Sequence, residues 1–282
     1  MSKKKITVPQ IRERKQNGSK FAMITVYDYP MAAIVDQSDI ELILVGDSLG
    51  MVIQGCEGTV HVTLEDILYH LKLVRRGAPN TFIVGDMPFL TYQACESEAI
   101  HNAGILMKNG ADCVKMEGDV YAAEKAAAVV KAGIPVMGHI GLTPQTAASF
   151  GGFKVQGKSI DSAKKMLENA IAFEKAGAFA IVLECLPTAL GALIDEKISI
   201  PTIGVGAGLN CTGYNLNAYD ILGIFDKFVP KFVKQYKLLG KEILDGFNSW
   251  RNEIESGAYP TREHCFNVSE DEINALRDSM EQ

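Results

Sequence analysis

Short apolar runs that end in a carboxylate recur along the chain, and this pattern limits the folds it can adopt. Leu42–Val45 precedes Asp47 and Ser48 after one glycine, and residues 82–84 lead through another glycine to Asp86. Continuous apolar runs of this length are typical of strands buried on both faces of a parallel sheet. Because the carboxyl ends of parallel strands meet at one edge of a sheet, the pattern predicts a site at that edge.

Patterns typical of strands and helices alternate along the chain, with no linker or change in composition between them. The predicted strands lie at 21–26, 42–45, 82–86, 113–117, 134–139, 179–183, 201–205 and 215–218. Their alternation with helices predicts a parallel α/β sheet, and their number favours a closed (β/α)8 TIM barrel over an open doubly wound sheet. We expect residues 1–282 to form a single barrel domain with an N-terminal helix at 7–15 and a C-terminal helical extension. Helical patterns late in the chain lie at 231–247 and 269–281.

Composition and charge exclude several classes of protein. The 282 residues carry a formal net charge of -6, which argues against nucleic acid or an anionic membrane as the main partner. No apolar run follows the basic start at residues 3–5, and no window is long and apolar enough to span a membrane, so a cytoplasmic protein is expected. The six cysteines include no C-x-x-C pair, which favours reduced thiols over disulfides or a zinc site.

Four acidic residues fall at the carboxyl ends of predicted strands, namely Asp47, Asp86, Glu117 and Glu184. Carboxylates without a cysteine or histidine cluster are typical ligands of a hard cation. Mg²⁺ usually takes one or two of them and keeps coordination sites for water and substrate. We therefore expect Asp47 and Asp86 to bind Mg²⁺ directly, and Glu117 to act directly or through water. The alternative is that these acids cap helices or lie in solvated loops.

Further roles are predicted for Lys115, Glu184 and His139. Lys115 lies two residues before Glu117, so strand alternation places both side chains on one face. Lys115 would neutralise a substrate carboxylate or pair with Glu117, and the two roles are compatible. Glu184 follows an apolar strand, where a carboxylate can have a raised pKa and act as a general base; its alternative role is a buried ion pair. His139 ends the fifth predicted strand and, taken alone, is more typical of a structural histidine.

Three segments that contain glycine are expected to be loops or turns. Residues 50–62 and 141–158 are too long for plain connections and suit mobile covers over an active site. Residues 204–208 have the spacing G-x-G-x-G and lie late in the chain, so they do not match a dinucleotide-binding fingerprint. A tight turn after a strand is favoured there.

Long motifs spread over residues 5–255 resemble those of the ketopantoate hydroxymethyltransferase family. They are TVYDYP at 25–30, LVGDSLGM at 44–51, VTL at 62–64, DMPF at 86–89, VKMEG at 114–118, PVMGHIGLTPQ at 135–145, GGFKVQG at 151–157, VLEC at 182–185 and IPTIG at 200–204. Because the motifs are long, numerous and in the family's order, the resemblance is specific.

The resemblance implies a (β/α)8 barrel similar to those of phosphoenolpyruvate mutase and isocitrate lyase. It implies transfer of a hydroxymethyl group from 5,10-methylenetetrahydrofolate to 3-methyl-2-oxobutanoate, which gives 2-dehydropantoate in the biosynthesis of pantothenate and coenzyme A. The implied cofactors and partners are Mg²⁺, the folate cosubstrate, the 2-oxo acid and further copies of the chain in a homodecamer.

The resemblance also assigns roles to positions. The implied metal ligands are Asp47, Asp86 and Glu117; the implied substrate-binding residues are Asp47, Ser48, Asp86, Lys115 and His139; and the implied base is Glu184. The chemistry agrees with these roles, because removal of a proton beside a ketone needs a base and a cation that stabilises the enolate oxygen.

One segment departs from the family pattern. Where the family has Cys-Asp-Gly-Gln followed by apolar residues, this chain has CTGYNLN at 211–217. An acid and an amide are missing, and the predicted eighth strand is more polar than the family's. We expect the consequences in the local structure, in folate binding or in subunit contacts.

Two other interpretations use the same residues. A C–C lyase of the same barrel group, acting on a 2-oxo acid, would use the same metal carboxylates. Lyases of that group often carry a catalytic cysteine loop, which this sequence lacks. A non-catalytic scaffold would be expected to have lost the site acids, and all four are present.

Overall fold

Eight parallel strands form a closed barrel in the computed structural model, which describes residues 3–281. They are β1 (Phe21–Thr25), β2 (Leu42–Val45), β3 (Phe82–Asp86), β4 (Cys113–Glu117), β5 (Val136–Gly141), β6 (Ala180–Glu184), β7 (Thr202–Val205) and β8 (Gly213–Asn217). Neighbours in the chain are neighbours in the sheet, and β8 pairs with β1. The predicted (β/α)8 TIM barrel is confirmed, and the open doubly wound sheet is excluded.

Helices precede, connect and follow the strands of the barrel. They are α1 (Val8–Gln16), α2 (Tyr29–Asp36), α3 (Leu49–Val52), α4 (Leu64–Gly77), α5 (Glu96–Lys108), α6 (Val120–Lys131), α7 (Ile160–Lys175), α8 (Thr188–Lys197) and α9 (Ala218–Ile221), with a 3₁₀ helix at Pro144–Phe150. Side-chain caps mark several starts. Asp28 accepts the backbone N–H of Met31 at 2.8 Å, and Thr63 forms a reciprocal capping box with Asp66.

Apolar side chains form two layers around the strands. The inner layer fills the barrel and includes Phe21, Leu42 and Phe82. Ile11 of α1 is fully buried in the same cluster, so the N-terminal helix covers the amino ends of the strands. The outer layer lies between strands and helices. The carboxyl ends of the strands are therefore the end of the barrel at which polar side chains can gather.

The described chain forms two compact units, one ending at Tyr236 and the other beginning at Lys237. The second unit contains α10 (Leu239–Ser256), a 3₁₀ turn (Arg262–His264) and α11 (Glu270–Met280). No residue of α10 or α11 is buried. The helix predicted at 269–281 is confirmed as α11, whereas a single domain over residues 1–282 stays a prediction.

The helix predicted at 231–247 is wrong in its first half, because α10 begins only at Leu239. The backbone N–H of Tyr236 donates to the carbonyl oxygen of Ile221 at 2.7 Å, so it is used in a contact with the end of α9. Phe232 packs against the turn after β7, where a side chain at Gly206 would lie 2.6 Å from its ring. These tertiary contacts override the local helical period.

Smaller differences concern element boundaries. β5 begins at Val136 rather than at 134, and β8 begins at Gly213, two residues earlier than predicted. The 50–62 segment starts within α3, and residues 204–208 form a turn in which Gly206 has φ +69°. Among the helices of residues 3–281, none combines the length and the apolar character that a membrane-spanning helix needs.

Candidate active site

The carboxyl ends of the strands surround one pocket of about 630 Å³. Every residue that the sequence predicted for the site lines it, namely Asp47, Ser48, Asp86, Lys115, Glu117, His139 and Glu184. These residues lie in β3 to β6 or at the positions that follow β2. The pocket therefore forms where the strand pattern predicted a site.

Asp47 and Asp86 are neighbours because β2 and β3 pair in register. The backbone N–H of Asp47 donates to Asp86 Oδ2 at 3.0 Å. Asp47 Oδ2 accepts a hydrogen bond from Gln145 Nε2 at 2.9 Å. Both residues are buried, with 4% and 1% of their surface exposed. Two acidic residues are thus buried side by side at the ends of neighbouring strands.

Lys115 lies closer to Asp86 than to Glu117. The register between β3 and β4 places Asp86 directly beside Lys115. Lys115 Nζ is 2.8 Å from Asp86 Oδ1 and 3.7 Å from Glu117 Oε2. Burial alone would lower the pKa of Lys115, but Asp86, Glu117 and Asp47 raise it by more. Lys115 is therefore a cation inside the acidic cluster.

His139 lies between two glutamates. Its Nδ1 is 3.2 Å from Glu117 Oε2, and its Nε2 is 3.3 Å from Glu184 Oε2. Burial and the charge of Lys115 lower the pKa of His139, but the two glutamates outweigh them and raise it to about 9. The side chain of Glu184 is 19% exposed, so its carboxylate reaches both His139 and the open part of the pocket.

Burial and like charges oppose ionisation of the two aspartates. Burial first, and then Asp86 and Glu117, raise the pKa of Asp47 well above its usual range. Burial also raises the pKa of Asp86, although Lys115 opposes this. Burial alone would raise the pKa of Glu117, but His139 and Lys115 outweigh burial and lower this pKa. Carboxylates this close together are stabilised when a further cation binds among them.

Two buried carboxylate oxygens have unused bonding capacity. Within residues 3–281, Asp86 Oδ1 and Glu117 Oε2 make no hydrogen bond of normal geometry, although charged partners lie near both. In that same part of the chain, no three His, Cys, Asp or Glu side chains form a complete metal-ligand cluster. Carboxylate oxygens suit hard cations. The residues therefore fit a divalent cation that takes its other ligands from water and substrate.

Gln145 connects the acids from the 3₁₀ helix after β5, and sequence reasoning assigned it no role. Besides its bond to Asp47, its backbone N–H donates to Glu117 Oε1 at 2.8 Å. The Tyr92 hydroxyl, which has one hydrogen to donate, lies 2.8 Å from the carbonyl oxygen of Glu117 and 3.0 Å from Gln145 Oε1. Gln145 ends the family-like motif at 135–145, which was the available signal. A glutamine amide is not an acid, a base or a nucleophile, so its residue type did not mark Gln145 as a site residue in the sequence.

The outer part of the pocket is aromatic and basic. The residues that line it there include Met51, Val52, Phe153, Lys154, Phe225, Phe228, Lys231 and Phe232. The rings of Phe225 and Phe228 meet edge to face, with centroids 5.6 Å apart. The two segments predicted as covers, 50–62 and 141–158, both contribute to this wall.

Solved structures with the same architecture include a phosphonopyruvate hydrolase complex with oxalate and Mg²⁺, with a TM-score of 0.60 and 11% identity over 98% of this chain and 96% of that chain. Another is 2,3-dimethylmalate lyase, a member of the phosphoenolpyruvate mutase/isocitrate lyase superfamily, with a TM-score of 0.59 and 13% identity over 97% and 98%. At this identity the likeness shows the fold. Fold and pocket together define a class, that of (β/α)8 barrels with an acidic pocket at the carboxyl ends of the strands.

A model of the ketopantoate hydroxymethyltransferase family matches residues 5–262, and the chain belongs to this family. A curated relative from Heliobacterium modesticaldum, named 3-methyl-2-oxobutanoate hydroxymethyltransferase, is 54% identical over 274 residues, which are 97% of this chain and 99% of the relative. A relative of the same name from Enterococcus faecalis is 50% identical over 273 residues, 96% of this chain and 99% of the relative. The resemblance inferred from the motifs is confirmed.

Proposed function

We propose that the protein transfers a hydroxymethyl group from 5,10-methylenetetrahydrofolate to 3-methyl-2-oxobutanoate, consuming water and forming 2-dehydropantoate for the biosynthesis of pantothenate and coenzyme A. The observation that carries the proposal is the row Glu117–His139–Glu184 beside the Asp47–Asp86 pair, all in one pocket. The reaction starts when the 2-oxo acid loses a proton from carbon 3. This step needs a base and positive charge near the resulting enolate.

Glu184 is the proposed base. It ends β6 at the pocket wall, and its Oε2 lies 3.3 Å from His139 Nε2. The imidazole lies on one side of the carboxylate, while the exposed side faces the space in which a substrate would lie. His139 is thus placed both to orient the base and to lie beside the substrate.

Asp47 and Asp86 are the proposed ligands of Mg²⁺, with Glu117 as a direct or water-mediated ligand. The support comes from the donor set and from the two buried oxygens without hydrogen bonds, Asp86 Oδ1 and Glu117 Oε2. When bound, the cation would supply positive charge that stabilises an enolate of the substrate. In the proposed arrangement, Asp47 and Asp86 also hold the substrate through this cation.

Ser48 and Lys115 are proposed to hold the 2-oxo acid directly. Both line the pocket next to the aspartates. Transfer of a carboxylate from water into a buried pocket is costly unless hydrogen-bond donors or cations meet it there. The Ser48 hydroxyl and the Lys115 ammonium are donors of this kind.

The outer pocket suits the folate cosubstrate. Phe153 and Phe228 are each 50% exposed and offer faces on which a pterin or benzoyl ring can stack. Lys154 and Lys231 lie nearby and would meet the carboxylates of the glutamate tail. The segments at 50–62 and 141–158 would exclude water that competes for the one-carbon unit.

The direct test is an assay for 2-dehydropantoate with the purified protein. We expect formation that requires both the folate cosubstrate and a divalent cation, that stops with a chelator and that returns on addition of Mg²⁺. Release of pyruvate or glyoxylate from a substituted malate would favour the C–C lyase instead. Binding of the 2-oxo acid without any turnover would favour the non-catalytic scaffold.

The homodecamer implied by the resemblance and the cytoplasmic location expected from the sequence pattern both stay predictions. Sedimentation of the purified protein would test the first, since the chain has a mass of 30.6 kDa and a decamer ten times as much. A species of one or two chains at micromolar concentration would contradict it.

A further inference from the structure

β8 ends in a residue that the family-like motifs do not cover. Asn217 pairs in register with Thr25 of β1, its side chain contacts Tyr27, and Tyr27 contacts Ser48. We propose that Asn217 is a positioning residue, which fixes the direction of this hydrogen-bond chain so that the Ser48 hydroxyl donates to the carboxylate of the substrate. The inference rests on the proposed function for the identity of that substrate, a 2-oxo acid.

The direction of the first bond follows from the way in which Asn217 caps α9. Asn217 Oδ1 accepts the backbone N–H of Tyr219 at 3.0 Å. The oxygen is thus engaged on the helix side, and Nδ2 faces Tyr27 with 2.6 Å between Nδ2 and Oη. An amide NH₂ group only donates, so the Tyr27 oxygen is the acceptor.

The direction of the second bond follows from the burial of Tyr27. Its Oη lies 2.7 Å from Ser48 Oγ, and the residue is 0% exposed. Within residues 3–281, the partners of this hydroxyl are Asn217 and Ser48. If Ser48 donated to Tyr27, the phenol hydrogen would be buried without an acceptor, which is unfavourable. Tyr27 therefore donates to Ser48.

Ser48 then keeps its own hydrogen for a ligand. Its side chain lines the pocket, and in the described part of the chain its Oγ bonds to Tyr27 alone. A hydroxyl that presents its hydrogen attracts a carboxylate, whereas one that presents only lone pairs repels it. The chain from Asn217 to Ser48 thus makes the serine a donor toward an anion.

Tyr27 is held in one position by other contacts. Its carbonyl oxygen is 2.7 Å from His70 Nδ1, and its ring packs against that of Tyr219 with centroids 5.7 Å apart. A change at position 217 is therefore expected to act through the hydroxyl hydrogens of Tyr27 and Ser48 rather than through a shift of the ring.

Asn217→Asp tests the direction of the chain. The substituted carboxylate keeps an oxygen for the Tyr219 N–H, but it accepts the Tyr27 hydrogen instead of donating. Ser48 must then donate to Tyr27 and presents lone pairs to the substrate. We expect the dissociation constant of 3-methyl-2-oxobutanoate, measured by calorimetry with Mg²⁺ and without folate, to rise roughly ten- to a hundredfold. The KM should rise similarly, with kcat nearly unchanged.

Asn215→Asp is the matched control for the added charge. Asn215 lies on the same strand and lines the same pocket, but its Oδ1 accepts from Thr25 Oγ1 at 3.2 Å and the Tyr27 hydroxyl bonds to Asn217 instead. The substituted carboxylate keeps that acceptor and adds the same charge. A clearly smaller loss of affinity is expected.

Ser48→Ala supplies a second readout that a merely structural role would not affect. Without the serine hydroxyl, the hydrogen-bond chain from Asn217 through Tyr27 no longer contacts the substrate, so its direction cannot affect binding. Asn217→Asp should therefore cause no further loss of affinity in the Ser48→Ala background, although it does so in the wild type.

Three results would overturn the proposal: equal losses in Asn217→Asp and Asn215→Asp, an undiminished loss in the Ser48→Ala background, or unchanged affinity in a folded Asn217→Asp protein. If Asn217→Asp does not fold, Asn217→Ser keeps a capping oxygen without the amide and is expected to lose affinity to a smaller degree. A wild type that does not bind the acid would also overturn it. A wild type that binds the acid but forms no 2-dehydropantoate would overturn the proposed function and leave this inference intact.

Discussion

The ammonium of Lys115 lies 2.8 Å from Asp86 Oδ1, and the two side chains are only 5% and 1% exposed. The pair places one positive charge inside a cluster that also contains Asp47 and Glu117. Removing one member of a buried ion pair usually costs more than the pair itself contributes, because the remaining charge is left uncompensated.

Lys115→Met should therefore lower the free energy of unfolding by about 3–5 kcal/mol, measured with urea in the absence of divalent cations. Lys197→Met is the control, since the Lys197–Glu196 pair at 3.1 Å has side chains that are 50% and 70% exposed. Lys197→Met should change the free energy of unfolding by less than about 1 kcal/mol. Similar losses in the two variants would show that Lys115 is not a buried counter-charge.

Asp47→Asn should stabilise the protein without metal and weaken its response to metal. The amide keeps an oxygen for Gln145 but removes one of the buried like charges, so we expect a gain of about 1 kcal/mol in a chelator. Mg²⁺ should raise the unfolding temperature of the wild type by mass action, and that of the variant much less. The exposed Asp161→Asn serves as control. Equal responses to Mg²⁺ would remove Asp47 from the proposed ligands.

Glu184→Gln should block the first chemical step while leaving substrate binding almost intact. We expect deuterium exchange at carbon 3 of 3-methyl-2-oxobutanoate, followed by NMR without folate, to slow by roughly 10²–10⁴-fold. Glu196→Gln changes a glutamate whose side chain is 70% exposed and should exchange at the wild-type rate. Undiminished exchange in Glu184→Gln would exclude this residue as the base.

Gly141→Ala should damage both stability and activity. Gly141 has φ +102°, and an added Cβ would lie 2.1 Å from the carbonyl oxygen of Glu184. We expect a loss of more than about 3 kcal/mol in the free energy of unfolding, together with a lower kcat. Gly133→Ala is the matched control. Gly133 also has a positive φ of +89°, but no atom of the described chain lies within 4 Å of an added Cβ. It should cost about 1–2 kcal/mol from backbone strain. Equal losses would show that the contact with Glu184 is unimportant.

Asp220 should make stability depend on pH. Burial raises the pKa of Asp220 to about 6, above the roughly 4 of an unfolded chain. The folded state therefore binds this proton more tightly, and the resulting stabilisation is complete below about pH 4 and lost as the pH rises toward 6. Asp220→Asn should stabilise the protein at pH 7 by roughly 1 kcal/mol, discounted for partial exposure, and much less at pH 4. The free energy of unfolding is measured with urea at both pH values. Asp226→Asn, at an exposed position, is the control. A gain that is the same at both pH values would contradict it.

Much of the pocket could be predicted because it depends on two simple regularities. Parallel strands end at one edge, which brings Asp47, Asp86 and Glu184 together, and side chains alternate along a strand, which places Lys115 beside Glu117. The first regularity relates residues that are far apart in the sequence, and the second relates residues of the same strand.

The rest depends on contacts that no local pattern contains. The preference of Lys115 for Asp86 follows from the register of β3 against β4. The backbone at 231–238 is determined by its contacts with the end of α9 and the turn after β7, so its apolar period predicted a helix that does not form. The polar segment at 211–217 had no interpretation until closure of the barrel placed Asn217 next to Tyr27.

The bond between Tyr27 and Asn217 joins residues 190 positions apart, across the seam at which β8 closes the barrel against β1. During synthesis from the amino terminus, Tyr27 leaves the ribosome long before its partner has been made. All the proposed carboxylates also precede the last strand. A nascent chain that stops before β8 would carry the complete acidic set without an oriented serine, so the donor direction of the Ser48 hydroxyl would be acquired only after the metal and base residues have been made.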